Sequence, residues 1–157
     1  MAKKDKSEAK IIEIKNRKAS HEYFIGETYE AGLVLRGTEI KSLRQGKAQI
    51  QDAFVRVDNN EAILYHAHIS EYDFGNVHNH NPVAPRKLLL NKKEILKIKV
   101  QTDAGGCSVI PLKIYFKKGL AKILIAVCKG KKLYDKREDL KKNQAMKEAR
   151  REMFERR

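Results

Sequence analysis

The sequence has no tryptophan, three prolines and two cysteines in 157 residues, and the scarcity of cysteine removes classes of protein. Cys107 and Cys128 stand 21 positions apart with no CxxC beside either. No zinc knuckle, dithiol redox pair or disulfide framework is therefore written here, and both thiols are expected to be reduced and buried. No apolar run approaches the ~20 residues of a membrane-spanning helix, and the Lys-rich opening Met1 to Lys6 leads into no apolar signal core. A soluble, cytoplasmic chain without a membrane partner is the expectation. GxxxxGK[ST], GxGxxG, HExxH and GxSxG are missing too, so the common phosphate cradles, zinc sites and nucleophile elbows have no support. His66 with His68 and His78 with His80 lack acidic or cysteine partners at ligand spacing, and hydrogen-bonded polar histidines are the favoured reading. Neither an enzyme, a metal nor a cofactor is expected.

Positive charge is abundant. Lys and Arg number 34 against 20 Asp and Glu, a formal charge of +14. Residues 1 to 20 contribute +4, residues 21 to 128 another +4, and the last 29 residues +6. Such concentration at one end exceeds an ordinary solvated face and points to a polyanionic partner, nucleic acid foremost. With 41% hydrophobic residues, one domain of this length buries roughly 70% of its unfolded surface, enough for a real core.

Residues 1–10 lack apolar periodicity and read as a flexible basic arm. From Ile11 come Ile-Ile-Glu-Ile, Tyr23-Phe-Ile25 and Tyr29 to Leu35, β-branched and aromatic runs broken by Gly26, Gly32 and Gly37. Thr38 as N-cap and Gly46 as stop predict a helix of about two turns. Phe54 to Asp58 and Glu61 to Ile69 predict a hairpin turning at Asn59-Asn60. Residues 72–85 read as a long surface loop. Asn91 caps a helix to about Val100. Ser108 to Phe116 and Leu120 to Val127 form a second hairpin, where Pro111 calls for an edge or a bulge. The predicted fold is mainly β with small helices: an antiparallel, oligonucleotide-binding-like β-barrel over 11–130, followed by a basic tail over 131–157.

Asn16, Arg17 and Lys18, followed by His21 and Tyr23, gather phosphate donors, base-reading groups and flat stacking faces. Glu30 and Glu39 repel phosphate, so on RNA they would accept from base amino groups or 2′-hydroxyls or orient cations; salt bridging within the protein is the alternative. In the tail, Ala145, Ala149 and Met153 make a thin apolar stripe. Such a segment is marginal as a free helix and suited to ordering against RNA.

Four blocks carry a family resemblance: Asn16 to Ile25, Glu30 to Arg44, Arg86 to Leu90, and Gly130 to Arg137. In order and spacing they resemble the SsrA-binding protein (small protein B) family, over roughly residues 11–157. The resemblance implies an oligonucleotide-binding-type barrel that grips the tRNA-like domain of transfer-messenger RNA (tmRNA, SsrA RNA). It also implies a tail, disordered when free and helical when bound, that enters the empty mRNA channel of a stalled ribosome near the small-subunit decoding centre. By position it assigns RNA binding to Asn16, Glu30 and Leu89, with Arg17, Lys18, His21, Arg86 and Lys87 in the same blocks. It places Asp135, Lys136 and Arg137 near the decoding centre, with Gly130, Lys131 and Lys132 just ahead. Ala84 stands where relatives commonly carry Arg, and Ala145 and Met146 where many carry an aromatic. A monomer is expected. The competing readings are a generic basic RNA-binding or ribosomal protein and, more remotely, a nucleic-acid enzyme using His21, Glu30 and Glu39.

Overall fold

The computed structural model describes residues 12–156; the basic arm over 1–10, Ile11 and Arg157 lie outside them. In chain order the elements are β1 (Glu13–Lys15), α1 (Ala19–Glu22), β2 (Tyr23–Leu33), α2 (Gly37–Arg44), β3 (Ala48–Gln49), β4 (Phe54–Asp58), β5 (Glu61–Tyr65), β6 (His68–Ile69), β7 (Arg86–Leu89), α3 (Lys92–Asp103), β8 (Cys107–Lys117), β9 (Leu120–Gly130) and α4 (Leu133–Glu155). All strand pairings are antiparallel. Seven strands run in the order β1, β8, β4, β5, β7, β2, β9, and β9 pairs again with β8. The ladder β8-β4-β5-β7-β2-β9 thus returns to its starting strand. β3 and β6 form a separate two-residue ribbon.

Strand alternation sorts the side chains into two layers. Tyr29, Ala31 and Leu33 of β2 and Ile123, Ile125 and Val127 of β9 point into the main core with Leu64, Leu88, Ile98 and Ile114, as the period of two requires. Each large buried side chain contributes about 1.5–3 kcal/mol. The residues between them face outward, and Ala126 and Cys128 join Ile110 and Ala19 in a second cluster beneath α1.

Both predicted hairpins form, for a local reason. Asn59 and Asn60 both take positive φ (49° and 59°), as do Lys118 and Gly119 (51° and 77°), the backbone demanded by two-residue turns that match strand twist. Pro111 lies at a register shift between β8 and β9. β8 is paired on both sides, so the proline marks a bulge, not an edge. The two runs around Gly26 are one strand, β2, irregular between Ile25 and Thr28.

The structure departs from the sequence reading at several points. The run Glu61 to Ile69 is not one strand: His66 adopts φ of 60°, the chain turns there, and β6 pairs with β3 instead. The two-turn helix starts at Gly37, so Thr38 lies inside it and its hydroxyl meets His80 Nδ1 at 2.9 Å. Asn91 does flank α3, which runs on to Asp103. Residues 72–85 are tied inward, with Asn79 bonding both backbone groups of Tyr72 and His80 buried against the Ile69 carbonyl at 2.9 Å.

Arg86 departs furthest from expectation. Its side chain is 2% exposed and its Nε donates to Glu39 Oε1 at 2.9 Å. Nη1 donates to the Ala67 carbonyl at 2.7 Å and Nη2 to the Pro82 carbonyl at 3.0 Å, while Glu39 Oε2 accepts the Arg36 N–H at 2.8 Å. One guanidinium fork thus fastens α2, the segment after β5 and the end of the 72–85 loop to β7. Arg86, which the family resemblance places in an RNA-binding block, is thus buried and bound to Glu39, the salt-bridge alternative for that glutamate. Glu39→Ala strands a buried cation and is expected to cost about 3–5 kcal/mol in urea unfolding. The double replacement Glu39→Leu with Arg86→Met should cost less than that single change; an equal or larger loss would show that the pair is not coupled in this way.

Candidate nucleic-acid interface

The site residues inferred from sequence fall into three places. The first surrounds α1. Arg17, Lys18 and His21 are exposed, and the Lys18 carbonyl accepts the N–H groups of His21 and Glu22 at 3.1 and 3.0 Å. The short turn therefore presents a guanidinium, an ammonium and an imidazole together. Asn16 sits beneath them and is buried. Its Nδ2 donates to the Pro111 carbonyl at 2.9 Å and to that of Ile50 at 3.3 Å, and its N–H to the Leu112 carbonyl at 2.8 Å. Asn16 thereby pins the end of β1 to β8, which orients the Arg17–Lys18 segment. Its Oδ1 has no partner among the described residues.

The second place lies farther along β2, roughly 20 Å from Tyr23 at about 3.3 Å per residue. Glu30, Lys87 and Leu89 line a groove of about 480 Å³ with Asn60, Glu61 and Glu94. Gly32 and Leu89 are cross-strand partners, and a Cβ on Gly32 would come within 3.2 Å of Leu89 Cβ. The glycine leaves room for Leu89, which lies 57% exposed. Lys87 pairs with Glu61 at 3.0 Å.

Glu30 is exposed, yet its carboxylate is held by neighbours. Oε2 accepts the Tyr115 hydroxyl at 2.5 Å, and Lys117 Nζ lies 3.5 Å from Oε1. The Tyr115 hydrogen bond, with Lys117 and Lys122 nearby, holds its carboxyl below the usual carboxylate range. At neutral pH it is an oriented anion that accepts hydrogen bonds and refuses phosphate, able to select amino or hydroxyl groups of a nucleotide. Tyr115 and Lys117 were not anticipated from sequence, because their tie to Glu30 spans 85 positions.

The third place is the junction of β9 and α4. Gly130 ends β9 opposite Tyr23, and Lys132 immediately precedes α4. Asp135 occupies the first turn, where a carboxylate suits the positive end of a helix. Lys136 is half-buried and Arg137 exposed. No residue of α4 is buried. Among the described residues no helix is long and apolar enough to cross a membrane, and no three His, Cys, Asp or Glu side chains gather as metal ligands do.

A mainly β, antiparallel domain with four helices, an exposed cationic segment beside α1 and a charge-rich terminal helix with no buried residue fits a class of protein that handles RNA. The family model described as SmpB protein matches residues 13–155. SsrA-binding proteins of Shouchella clausii and Caldanaerobacter subterraneus subsp. tengcongensis are each 55% identical. They align over 96% of both chains in the first case, and over 92% of this chain and 91% of the relative in the second. That of Pelotomaculum thermopropionicum is 56% identical over 90% of this chain and 92% of its own. A chain in the solved structure reported as "tmRNA-SmpB: a journey to the center of the bacterial ribosome" superposes with a TM-score of 0.65 at 43% identity, covering 78% of this chain and 85% of that one. The chain belongs to the SmpB protein family.

The tyrosines offer a check on this geometry. Burial first, then the Glu30 hydrogen bond, pushes Tyr115 up to about 12; burial also pushes Tyr29 up to about 12. The folded state then holds protons that the unfolded state releases near pH 10. The contribution of these two tyrosines to stability is therefore constant below about pH 10 and is lost as pH rises towards 12. In an ultraviolet absorbance titration of the six tyrosines, two should ionise near pH 12. Glu30→Gln should move one of them down while leaving it above its ordinary value, since burial is the larger cause. Six ordinary titrations would contradict the arrangement.

Proposed function

We propose that the chain binds the tRNA-like domain of tmRNA, carries it to stalled ribosomes and places its C-terminal tail in the empty mRNA channel, acting as a trans-translation factor. The observation that carries this reading is alignment along nearly the whole chain, at 55% identity, with SsrA-binding proteins. In this reading the self-closing strand ladder is a barrel of the oligonucleotide-binding kind over 11–130, whose outer face meets RNA. Glu30, Leu89 and Lys87 form the selective contact, with the carboxylate accepting from nucleotide donors and Leu89 presenting an apolar face. Arg17, Lys18 and His21 contribute cationic contacts, with Asn16 setting their position. Arg86 supports Lys87 and the preceding loop from within.

The tail over 131–157 serves the ribosome. Its cations, with Asp135, Lys136 and Arg137 leading, suit a channel walled by phosphates. Because α4 buries nothing, most of its length is stable as a helix only where RNA neutralises its charge. A generic basic RNA-binding module would share the charge but not the ordered carboxylate at Glu30.

Filter binding with tmRNA, ordinary tRNA and ribosomal RNA tests the reading: tmRNA should bind tightest, and equal affinity for all three at moderate salt would overturn it. Contact with roughly six to ten phosphates should weaken binding about 10³ to 10⁵ fold between about 50 and 200 mM salt. Glu30→Ala should lower tmRNA affinity at least tenfold. Deleting residues 133–157 should leave that affinity within about threefold and abolish peptide tagging on stalled ribosomes; the reverse pattern would show the two roles misassigned.

A further inference from the structure

Tyr115 stands on the outer face of β8 and reaches across a whole strand. Its partner in the ladder is Lys122 of β9, and Lys122 pairs in turn with Gly32 of β2, so β9 separates Tyr115 from Glu30. Two strand spacings come to about 9.5 Å, a gap that a tyrosine and a glutamate close between them and shorter side chains do not. The hydroxyl donates to Glu30 Oε2 at 2.5 Å. The ring behind it is held as well. Lys113 Nζ lies 5.3 Å from the ring centre, and that ammonium is anchored by Glu13 Oε1 at 3.0 Å, with Lys15 3.6 Å from Glu13 Oε2. Glu13 is itself the cross-strand partner of Tyr115. Contacts thus run from Glu13 of β1 to Lys113 and the Tyr115 ring of β8, and from the phenol over β9 to Glu30 of β2.

We propose that Tyr115 is a positioning residue for RNA recognition: by occupying Oε2 it holds the Glu30 carboxylate in one orientation, with Oε1 left for an amino or 2′-hydroxyl donor of the nucleic acid. This rests on the assignment of Glu30 to tmRNA given above. A surface glutamate that turns freely must have its rotamers frozen by each ligand, which weakens binding. Tyr115 orders the carboxylate before the ligand arrives. A phenol suits this task because it donates without carrying charge. It therefore orients Glu30 without neutralising it, and it adds no cation that would draw phosphate to the same spot. The charged groups about the carboxylate are Lys117 and Lys122, with Lys87, Glu61 and Glu94 lining the same groove.

The test begins with the free, full-length protein. In carbon-detected nuclear magnetic resonance, with the Glu30 carboxyl assigned by its loss in Glu30→Gln, Tyr115→Phe should raise the Glu30 titration midpoint by about half a pH unit or more. The direction follows because the Tyr115 hydrogen bond is the largest cause of the depression. Circular dichroism should be unchanged, since the ring and its contact with Lys113 are kept. In filter binding, Tyr115→Phe should weaken tmRNA binding at least about fivefold and alter ordinary tRNA binding less than about twofold. In a Glu30→Ala background the same change should alter tmRNA affinity less than about twofold, because nothing remains to be positioned. An unmoved Glu30 midpoint in Tyr115→Phe, or tmRNA affinity equal to that of the parent, would overturn the proposal. So would an equal loss in the Glu30→Ala background, which would show that Tyr115 touches the RNA itself. Failure of the parent protein to bind tmRNA would instead overturn the function proposed above and leave the titration result standing.

Discussion

The β2–β9 ladder is the constraint on which the rest of the site depends. It pairs Tyr23 with Gly130 at one end and Gly32 with Lys122 at the other, so a single pair of eleven-residue strands sets the position of all three candidate surfaces. At the Tyr23 end it brings α1 against the exit of the tail. Farther along it holds Glu30 opposite Leu124 and, through β7, sets Leu89 beside Gly32. A change of register by one residue would exchange the inward Tyr29, Ala31 and Leu33 with the outward Thr28, Glu30 and Gly32. The core therefore fixes the address of the surface groups.

The charge balance acts at two scales. The excess of +14 is long-ranged and unselective, drawing any polyanion towards the molecule. Discrimination needs something that phosphate alone cannot satisfy, and in the function proposed above that is a carboxylate within reach of cations. Glu30 stays ionised because Tyr115 and Lys117 stabilise its charge, and the same contacts restrict its orientation. A free surface glutamate would be expected to yield to screening and to its own rotamers. A held one can require a particular donor from its ligand.

What was legible in the sequence was what short-range physics decides. Asn59-Asn60 and Lys118-Gly119 state their turns because few residues accept positive φ, and alternating aliphatic residues state which face of β9 is buried. Asn91 states the start of α3. Four-residue α1 is too short for any periodicity, and the β3–β6 ribbon is too short for a strand pattern. The kink at His66 is imposed by the chain's need to leave one sheet for another. Family resemblance located Arg86 in the right block, yet its burial follows from Glu39, 47 positions away. Residues distant in sequence are brought together by the closure of the strands, and no local pattern encodes that.

Domain and terminal helix differ in how their charges are placed. Inside the domain, the buried charges are matched: Arg86 pairs with Glu39. Along α4 charges are many, and its residues are half-buried at most. A helix of this kind draws little stability from packing and much from whatever surrounds its charges. Its root carries backbone and side-chain bonds from Lys131 to Glu22, Ser20 and Asp139. In the function proposed above, such a segment takes its order from the surface it meets, because it brings little packing of its own.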